Sequence, residues 1–383
     1  MTTIALIVAA GKGLRTGMSF PKQYIEIAGK TILRRSIDAF LEHPAIDNIC
    51  VVISDADLAL YDEATKDLNV LPAVMGGATR QESVRNGLES LTDLSPDFVL
   101  IHDAARPFVS TALISRCLEM LETGQAVLPT LPLTDSLKTF SDGQITGSVN
   151  RDEIVAAQTP QGFAFAAILA AHRAFDGENL TDDTALAARA GLGVSMVEGE
   201  ALNFKITTAA DMAAAERHIL KSLGDIRTGY GFDVHAFEAG ESVWLGGVEI
   251  PYKKKLKGHS DADVALHALT DALLGAIAAG DIGVHFPPSD PVWKGAASER
   301  FISHAARLVA EKGGVISHVD LTIICEEPKI GPHRAAMTEK IADILKIQSD
   351  RVSVKGTTTE KLGFTGRGEG IAAQAVATVR LPE

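Results

Sequence analysis

Two glycines and two basic side chains near the N terminus form a pattern that could transfer phosphate groups. Gly11 and Gly13 follow an apolar run directly, and Arg15 and Lys22 come shortly after them. Glycines let backbone N–H groups approach an anion closely, and fixed cations stabilise the charge that builds on phosphate oxygens in the transition state. Dinucleotide binding is the competing interpretation, but Thr16 occupies the position where that motif needs its third glycine.

A second candidate site combines a carboxylate with two imidazoles. Asp233 and His235 are two positions apart in a strand-like segment, so their side chains point to one face. His267 lies in an Ala/Leu-rich helical pattern, on the same face as Asp263 and Asp271. Two histidines and one carboxylate leave a fourth coordination position open, which is typical of a catalytic Zn²⁺ site. The alternative for His267 is a hydrogen-bonded core histidine.

The segments that must position these residues differ between the two parts of the chain. The first part alternates apolar strand-like runs with amphipathic helical patterns, which predicts an α/β, Rossmann-like domain with a mostly parallel sheet covered on both faces. The second part is shorter and has a two-residue hairpin turn at Gly246-Gly247. We expect an α+β domain there, as the family resemblance described below implies. We place the boundary near residue 224, which gives domains 1–224 and 225–383. The predicted strands are 4–9, 48–54, 98–102, 126–131, 319–325, 352–356 and 371–380, and the predicted helices are 31–43, 80–91, 111–122, 209–223, 263–279, 298–312 and 332–345.

Length, charge and cysteine content narrow the class of protein. The 383 residues are enough for two domains, and a hydrophobic content of 46% is typical of a globular chain. The net charge of −13 argues against a nucleic-acid partner, because phosphate backbones need a basic surface. The three cysteines have no disulfide or metal spacing, and no apolar run is long enough to span a membrane. We therefore expect a cytoplasmic protein without membrane association.

A set of motifs in residues 1–223 carries a family resemblance. The motifs are Ala9-Ala10-Gly11-x-Gly13-x-Arg15, Pro21-Lys22-Gln23-Tyr24, Gly76-Gly77 with Arg80-Gln81-Glu82-Ser83-Val84, His102-Asp103-Ala104-Ala105-Arg106-Pro107, Val149-Asn150-Arg151, Thr159-Pro160-Gln161, Thr181-Asp182-Asp183 and Asn203-Phe204-Lys205. Together they resemble the 2-C-methyl-D-erythritol 4-phosphate cytidylyltransferases. This resemblance is more specific than any single motif, since a glycine-rich turn alone is a weak signal.

The resemblance implies a role for each matching position. Arg15, Lys22 and Lys205 would stabilise the pentavalent α-phosphate of CTP, and Arg151 with Lys205 would hold the phosphate of methylerythritol phosphate. Asp103 would help to position Mg²⁺ or Mn²⁺ on the nucleotide phosphates. The loop residues expected to bind the nucleotide are Ala10, Gly11, Gly13, Gly77 and Ser83.

Residues 226–381 carry a second resemblance. The motifs are Gly231-Phe232-Asp233-Val234-His235, His259-Ser260-Asp261-x-Asp263-Val264-Ala265-Leu266-His267, Gly280-Asp281-Ile282-Gly283 and the block from Lys355-Gly356-Thr357-Thr358 through Gly370. They resemble 2-C-methyl-D-erythritol 2,4-cyclodiphosphate synthase. The family closes a cyclic diphosphate by intramolecular phosphoryl transfer and expels CMP. Its members are homotrimers with active sites between subunits.

This second resemblance implies a metal site and a substrate site. Asp233, His235 and His267 would bind Zn²⁺, or Mn²⁺ or Co²⁺ in its place, and Glu360 would contact a second ion, Mg²⁺ or Mn²⁺. Pro288 departs from the family, which commonly has Asp there, so the contacts of its loop are open. His259, Ser260 and Thr358 would form hydrogen bonds to the reacting phosphates, and Asp281 and Gly283 would bind the methylerythritol hydroxyls. The cytidine would be bound by Thr357 and by the segment from Cys325 to Gly331, which includes Pro328. Phe286, Phe364 and Arg367 would contact substrate, and the last two would face the threefold axis together with Phe232.

The combined interpretation is a bifunctional enzyme of isoprenoid-precursor synthesis. Its expected partners are small molecules (CTP and methylerythritol phosphates), further copies of the chain as a trimer or a hexamer built through N-terminal dimers, and the pathway kinase, whose signature the chain lacks. Two alternatives stay open. The N-terminal domain could act on another sugar or alditol phosphate, or one domain could be a non-catalytic scaffold for assembly.

Overall fold

The computed structural model describes residues 1–11, 20–178, 180–258, 260–287, 291–293 and 295–382. Within it the chain divides into two units, Met1–Ala215 and Glu216–Glu383. The division falls inside the helix Ala209–Ser222, ahead of the boundary expected near residue 224, which stays a prediction. None of the described helices is long and apolar enough to cross a membrane.

The first unit alternates strands and helices, as the sequence predicts. Its strands are β1 Thr3–Val8, β2 Glu26–Ile27, β3 Lys30–Thr31, β4 Asn48–Ile53, β5 Val74–Met75, β6 Phe98–Asp103, β7 Ala126–Pro132, β8 Lys138–Ser141, β9 Gln144–Ser148, β10 Val155–Ala157, β11 Gln161–Ala164 and β12 Val194–Glu198. Its helices are α1 Ile32–Leu41, α2 Leu58–Thr65, α3 Arg80–Ser90, α4 Thr111–Leu121, α5 Phe165–Ala174, α6 Asp183–Arg189 and α7 Ala209–Ser222, the last of which continues into the second unit.

The main sheet of the first unit has the order β10-β7-β11-β6-β1-β4-β5, with β12 also paired to β7. Parallel pairing joins β1 to β4 and β6, β4 to β5, and β7 to β12, whereas β10 and β11 run antiparallel to their neighbours. Residues Ile4 to Ile7 of the central strand are fully buried on both faces, which explains their continuous apolar run. The prediction of a mostly parallel α/β sheet is confirmed.

The second unit is an α+β domain, which is also as predicted. Its strands are β13 Asp225–Ala239, β14 Ser242–Leu245, β15 Val248–Pro251, β16 Lys254–Leu256, β17 Val315–Ile324, β18 Val352–Thr357 and β19 Gly370–Leu381. Its helices are α8 Val264–Ala276, α9 Ile282–His285, α10 Glu299–Glu311, α11 Arg334–Leu345 and α12 Gly363–Gly366. The predicted hairpin turn joins β14 to β15, and both of its glycines have positive φ, as a tight two-residue turn requires.

The sheet of the second unit has the order β16-β13-β19-β17-β18. Helix α8 packs on β13 and β19, and every second residue of β13 faces away from it. That outer face exposes Ile226, Tyr230, Phe232 and Val234 by 43–59% of their surface. The sheet is therefore half covered in this unit, with an apolar outer face.

Candidate active sites

A cavity of about 570 Å³ opens in the first unit where β1 and β6 end. Ligands of open α/β sheets bind at the carboxyl ends of the strands, so this is the expected place for a nucleotide. The lining residues are Val8, Ala9, Ala10, Gly11, Lys22, Gln23, Gly77, Ala78, Thr79, Arg80, Ser83, Asp103, Ala104, Ala105, Lys205 and Thr207. Most of the predicted N-terminal site residues thus lie together. Gly13 and Arg15 lie outside the described residues.

Two lysines bring positive charge to this cavity from distant parts of the chain. The Nζ of Lys22 donates to the carbonyl oxygen of Ile206 at 2.9 Å. The Nζ of Lys205, one residue earlier in the same segment, lies 2.8 Å from the Asp103 carboxylate. The segment around residue 206 therefore holds both ammonium groups on one side of the cavity.

Asp103 is held among three cations. Besides Lys205, the guanidinium groups of Arg80 and Arg106 lie 3.6 and 3.7 Å from its carboxylate oxygens. Burial alone would raise the pKa of Asp103, but the charges of Lys205 and Arg80 outweigh it and hold that pKa well below its usual range. Asp103 is the only carboxylate among the described lining residues of the cavity.

Arg80 is a residue to which sequence reasoning assigned no role. Its Nη1 lies 2.7 Å from the buried carboxylate of Asp183, so the guanidinium bridges Asp183 and Asp103. Burial alone would lower the pKa of Arg80, but the charges of the two aspartates outweigh burial and raise that pKa above its usual value. The motif that contains Arg80 was visible in the sequence, whereas its partners lie 23 and 103 positions away.

Ser83 shapes the glycine loop with its hydroxyl. Its Oγ accepts the Gly77 N–H at 3.0 Å and donates to the carbonyl of Thr79 at 2.8 Å. A Cβ on Gly76 would lie 2.5 Å from the Cβ of Ala10, so the loop can sit against the end of β1 only because it carries glycine there. The backbone groups of this loop therefore face the cavity in a fixed conformation.

Arg151 is placed apart from the cavity. It is exposed, its Nη1 donates to the carbonyl of Thr134 at 2.6 Å, and it does not line the cavity with Lys205. It follows the hairpin of β8 and β9, where Phe140 and Ile145 are 75% and 67% exposed. Within one chain the structure does not bring Arg151 and Lys205 together.

In the second unit, Asp233, His235 and His267 converge on one point. The Oδ2 of Asp233 lies 3.0 Å from both His235 Nε2 and His267 Nδ1, and these two nitrogens are 3.1 Å apart. The three side chains are only 12–27% exposed. Among the residues that the structure describes, they are the one group of three or more His, Cys, Asp or Glu that could hold a metal ion.

Two glycines in β13 explain how α8 brings its histidine this close. A Cβ on Gly229 or Gly231 would lie 2.0 Å from the carbonyl oxygens of Ala272 and Ala268 respectively. Glycine in the strand and alanine in the helix therefore let the two backbones touch. This close approach sets His267 beside Asp233, which is two residues beyond Gly231.

The surroundings of His235 and Asp233 leave both side chains in the form that binds a metal ion. His235 Nδ1 lies 2.8 Å from the carbonyl of Lys257, which can only accept, so Nδ1 carries the hydrogen and Nε2 offers its lone pair. Burial would raise the pKa of Asp233, but its close contacts with His235 and His267 hold that pKa below its usual range. An ionised carboxylate beside imidazole lone pairs is a donor set that suits Zn²⁺.

The helical pattern places Asp263 and Asp271 on the same face as His267, but both carboxylates bind backbone N–H groups instead. The Asp263 carboxylate is fully buried, caps α8 and accepts the N–H groups of Gly246 and Gly247 at 2.9 and 2.7 Å. Asp271 accepts the N–H of Ile282 at 2.8 Å. Neither is part of the metal-binding group, because the N-cap position turns Asp263 towards backbone donors.

The nucleotide turn, residues 358–361, follows Thr357 at the end of β18 and contains Thr358 and Glu360, which are predicted to contact the phosphates and the second ion. The hydroxyl of Thr358 donates to the Glu360 carboxylate at 2.7 Å, and Glu360 and Lys361 both have positive φ. The backbone N–H of Cys325 donates to the carbonyl oxygen of Thr357 at 3.1 Å. Burial raises the pKa of the Cys325 thiol to about 12, and its Sγ lies 3.4 Å from the carbonyl of Pro328. Thr357, Cys325 and Pro328 are therefore neighbours.

Other predicted residues of the second unit lie in separate surroundings. Asp281 is exposed and caps α9, which contains Gly283. Phe286 packs on Phe301 and Trp293, with ring centroids 4.6 and 4.8 Å away. Phe364 is 40% exposed, Arg367 makes a two-point ion pair with Glu369, and Ser260 Oγ lies 3.2 Å from His267 Nε2. His259 and Pro288 lie outside the described residues.

The sheet register separates the metal-binding group from the nucleotide turn. Asp233 pairs with Ala373, Ala373 with Ile323, and Ile323 with Gly356, next to Thr357. Three strand spacings, roughly 14 Å, therefore lie between the two groups within one chain.

Comparisons with known proteins match two families to consecutive parts of the chain. The family model described as 2-C-methyl-D-erythritol 4-phosphate cytidylyltransferase matches residues 3–222, and the YgbB family model matches residues 226–380. A relative from Paramagnetospirillum magneticum, named bifunctional enzyme IspD/IspF, is 55% identical and covers 99% of each chain. A relative of the same name from Rhodospirillum rubrum is 54% identical over 99% of this chain and 98% of its own. The solved 4-diphosphocytidyl-2C-methyl-D-erythritol synthase of Anaerococcus prevotii is 29% identical with a TM-score of 0.51, over 57% of this chain and 96% of its own. With both models matched and relatives aligned along almost the whole chain, the chain belongs to the bifunctional IspD/IspF family.

Proposed function

We propose that the chain catalyses two reactions of isoprenoid-precursor synthesis. The first unit transfers CMP from CTP to 2-C-methyl-D-erythritol 4-phosphate and releases diphosphate. The second converts 4-CDP-2-C-methyl-D-erythritol 2-phosphate to 2-C-methyl-D-erythritol 2,4-cyclodiphosphate and releases CMP. The observation that carries this proposal is that each family match contains its own chemical site, a lysine-lined cavity in one and an Asp-His-His group in the other.

In the first reaction, a phosphate oxygen of methylerythritol phosphate forms a bond to the α-phosphorus of CTP. The bond from that phosphorus to the bridging oxygen breaks, and diphosphate leaves with the electron pair. Lys22 and Lys205, with Arg15, stabilise the charge on the α-phosphate, since fixed cations cost no reorganisation at the moment of reaction. Arg151 binds the attacking phosphate. No covalent intermediate with the protein is needed.

The nucleotide is held by the loops around the cavity. Backbone groups of Ala10, Gly11, Gly13 and Gly77 approach its phosphates and base, and Ser83 keeps the loop in place through the hydrogen bonds described above. Asp103 would provide one carboxylate for Mg²⁺ or Mn²⁺, ions that take one or two protein carboxylates together with phosphate and water. Such an ion would supply positive charge against the triphosphate.

In the second reaction, an oxygen of the 2-phosphate attacks the β-phosphorus of the CDP group. The bond between that phosphorus and the oxygen bridging to the α-phosphorus breaks, and CMP leaves with the electron pair. Asp233, His235 and His267 would hold Zn²⁺, which would supply polarisation of a phosphate oxygen. Ser260, His259 and Thr358 donate hydrogen bonds to the reacting phosphates. Glu360 would hold the second ion. Asp281 and Gly283 bind the methylerythritol hydroxyls, and Phe286 also contacts substrate. Thr357, Cys325 and Pro328 bind the cytidine, and Phe364 and Arg367 contact substrate near the threefold axis.

We further propose that the second site is completed between copies of the chain, in a trimer. The roughly 14 Å between the metal-binding group and the nucleotide turn supports this arrangement, because a neighbouring copy can place its turn closer. The exposed apolar face of β13, with Tyr230 and Phe232, supports it as well. The exposed Phe140 and Ile145 of the β8–β9 hairpin support N-terminal dimers, which would join two trimers into a hexamer.

The cytosol is the proposed compartment, which the three buried, unpaired cysteines support. The missing phosphorylation between the two reactions must come from a separate kinase, with which we propose an association. The domain boundary is proposed near residue 224, in the gap between the two family matches.

The test is substrate-specific product release by the full chain. Diphosphate release from CTP should require methylerythritol 4-phosphate and should be at least about tenfold slower with other sugar or alditol phosphates. CMP release should occur from 4-CDP-2-C-methylerythritol 2-phosphate in the same preparation. Equal rates with another sugar phosphate would reassign the first substrate. Absence of one reaction under all metal conditions would make that unit a scaffold.

A further inference from the structure

Ser298 occupies an unusual position beside the metal-binding group. It is the N-cap residue of α10, where a serine hydroxyl ordinarily accepts a backbone N–H of the first turn, yet its hydroxyl makes no cap hydrogen bond. The residue is fully buried. Its Oγ instead contacts Asp261 Oδ1 and lies 2.9 Å from His267 Nε2. The hydroxyl therefore links a carboxylate to the histidine.

The direction of these hydrogen bonds follows from counting hydrogens. An ionised carboxylate has none to give, so Ser298 must donate its single hydroxyl hydrogen to Asp261. The Ser298 N–H also donates to Asp261, at 2.9 Å to Oδ2, which holds the serine in place. Ser298 Oγ can then only accept from His267, so Nε2 of that ring carries the hydrogen. Ser260 Oγ, 3.2 Å from the same Nε2, is a second and more distant acceptor for it. His267 Nδ1 is left with its lone pair, directed at Asp233 and His235.

We propose that Asp261 and Ser298 are positioning residues that fix the ring orientation and tautomer of His267 for metal binding. Asp261 is anchored in turn, because it accepts the Asp263 N–H at 3.2 Å and its own N–H donates to Ala296 at 3.2 Å. The carboxylate thus joins the start of α8 to the start of α10. This inference rests on the proposed metal site. It adds a second group of residues, acting through His267, to the three ligands.

Zinc affinity of the full chain tests the proposal. We expect Ser298→Ala and Asp261→Asn each to weaken Zn²⁺ binding about 10- to 100-fold in competition with a chromophoric chelator. The cobalt-loaded variants should show altered visible absorption bands. Because both residues act through one chain of hydrogen bonds, the double variant should bind zinc about as weakly as the weaker single variant. Thr270→Val is the matched control and should bind zinc like the unmodified chain. It also removes a buried hydroxyl, one that lies in α8 and donates to the carbonyl of Leu266.

Stability of the metal-free proteins separates positioning from simple bracing. Both tryptophans, Trp244 and Trp293, lie in the second unit, so their fluorescence reports its unfolding alone. Unchanged zinc affinity and cobalt spectra in both variants, with only a loss of stability, would overturn the proposal. If Ser298→Ala does not fold, Asp261→Asn decides by the same measurements. If the unmodified chain and His267→Ala bind zinc equally, the metal site itself fails, which is a different result from a failure of Ser298 alone.

Discussion

At the scale of single residues, the two sites use opposite charges for opposite purposes. In a chain of net charge −13, Lys22 and Lys205 line one cavity, where we propose that an anionic substrate binds. In the second unit, Asp233 and two imidazoles converge where we propose that a cation binds. In both cases a backbone carbonyl, of Ile206 or of Lys257, orients a basic side chain.

Lys22→Ala should lower the kcat of cytidylyl transfer by about 100-fold or more, while CTP binding weakens less. The reason is that, in the proposed mechanism, Lys22 stabilises charge that develops mainly in the transition state. Steady-state kinetics with binding measured separately checks this, and cyclisation should be unchanged. The control is Lys66→Ala, which removes an exposed lysine paired only with Glu63 on the surface. Near-normal turnover of the Lys22 variant would remove it from the mechanism.

The unmodified chain should hold about one tightly bound Zn²⁺ per copy, and His267→Ala should lose it, since two ligands do not make a tight site. Elemental analysis after dialysis measures both. His318→Ala, which removes an exposed histidine of β17, is the matched control and should retain zinc. Equal zinc content in the His267 variant would refute the ligand assignment.

At the scale of elements, close contact between α8 and β13 determines the second site. The strand contributes two of the proposed ligands on one face, and the helix contributes the third proposed ligand only because Gly229 and Gly231 let it approach. The hairpin turn at Gly246 and Gly247 is held by Asp263 at the start of the same helix. The helix is thus held both along its side and at its N terminus.

Gly231→Ala should destabilise the second unit by about 1–3 kcal/mol and weaken zinc binding, because the new Cβ would lie 2.0 Å from the backbone oxygen of Ala268. Urea unfolding followed by the fluorescence of Trp244 and Trp293 measures the stability. Gly331→Ala, in the same unit, is the control, as a Cβ there meets nothing within 4 Å. Wild-type stability and zinc affinity in the Gly231 variant would show that the helix is not seated as described.

At the scale of the whole molecule, each unit leaves apolar surface exposed that further copies of the chain could cover. These surfaces are the outer face of β13 and the β8–β9 hairpin. A chain that carries a threefold and a twofold interface satisfies both by closing into a hexamer of D₃ symmetry.

Light scattering should therefore give six times the 40.5 kDa chain mass. Phe140→Glu with Ile145→Glu should reduce the assembly to a trimer, because a charge buried at the dimer contact is costly. Phe232→Glu should break the trimer and slow cyclisation. A fully active monomer would overturn the site between copies, and a trimer in the unmodified chain would overturn only the hexamer.

The sequence by itself determined the features that depend on residues close together in the chain. Asp233 and His235 share a face because strand side chains alternate, and Gly246-Gly247 makes a tight turn because glycine tolerates positive φ. The parallel sheet likewise followed from alternating strand and helix patterns.

The tertiary structure alone decided which distant residues meet. Lys205 reaches Asp103 from 102 positions away, and Ser298 reaches Asp261 from 37. No local pattern marks such pairs, because their contact depends on how helices and loops pack on the sheet and on which buried polar groups must find partners. The same packing turned Asp263 from an apparent companion of His267 into a helix cap. It also left Arg151 away from the cavity of its own chain, since an exposed hairpin precedes it.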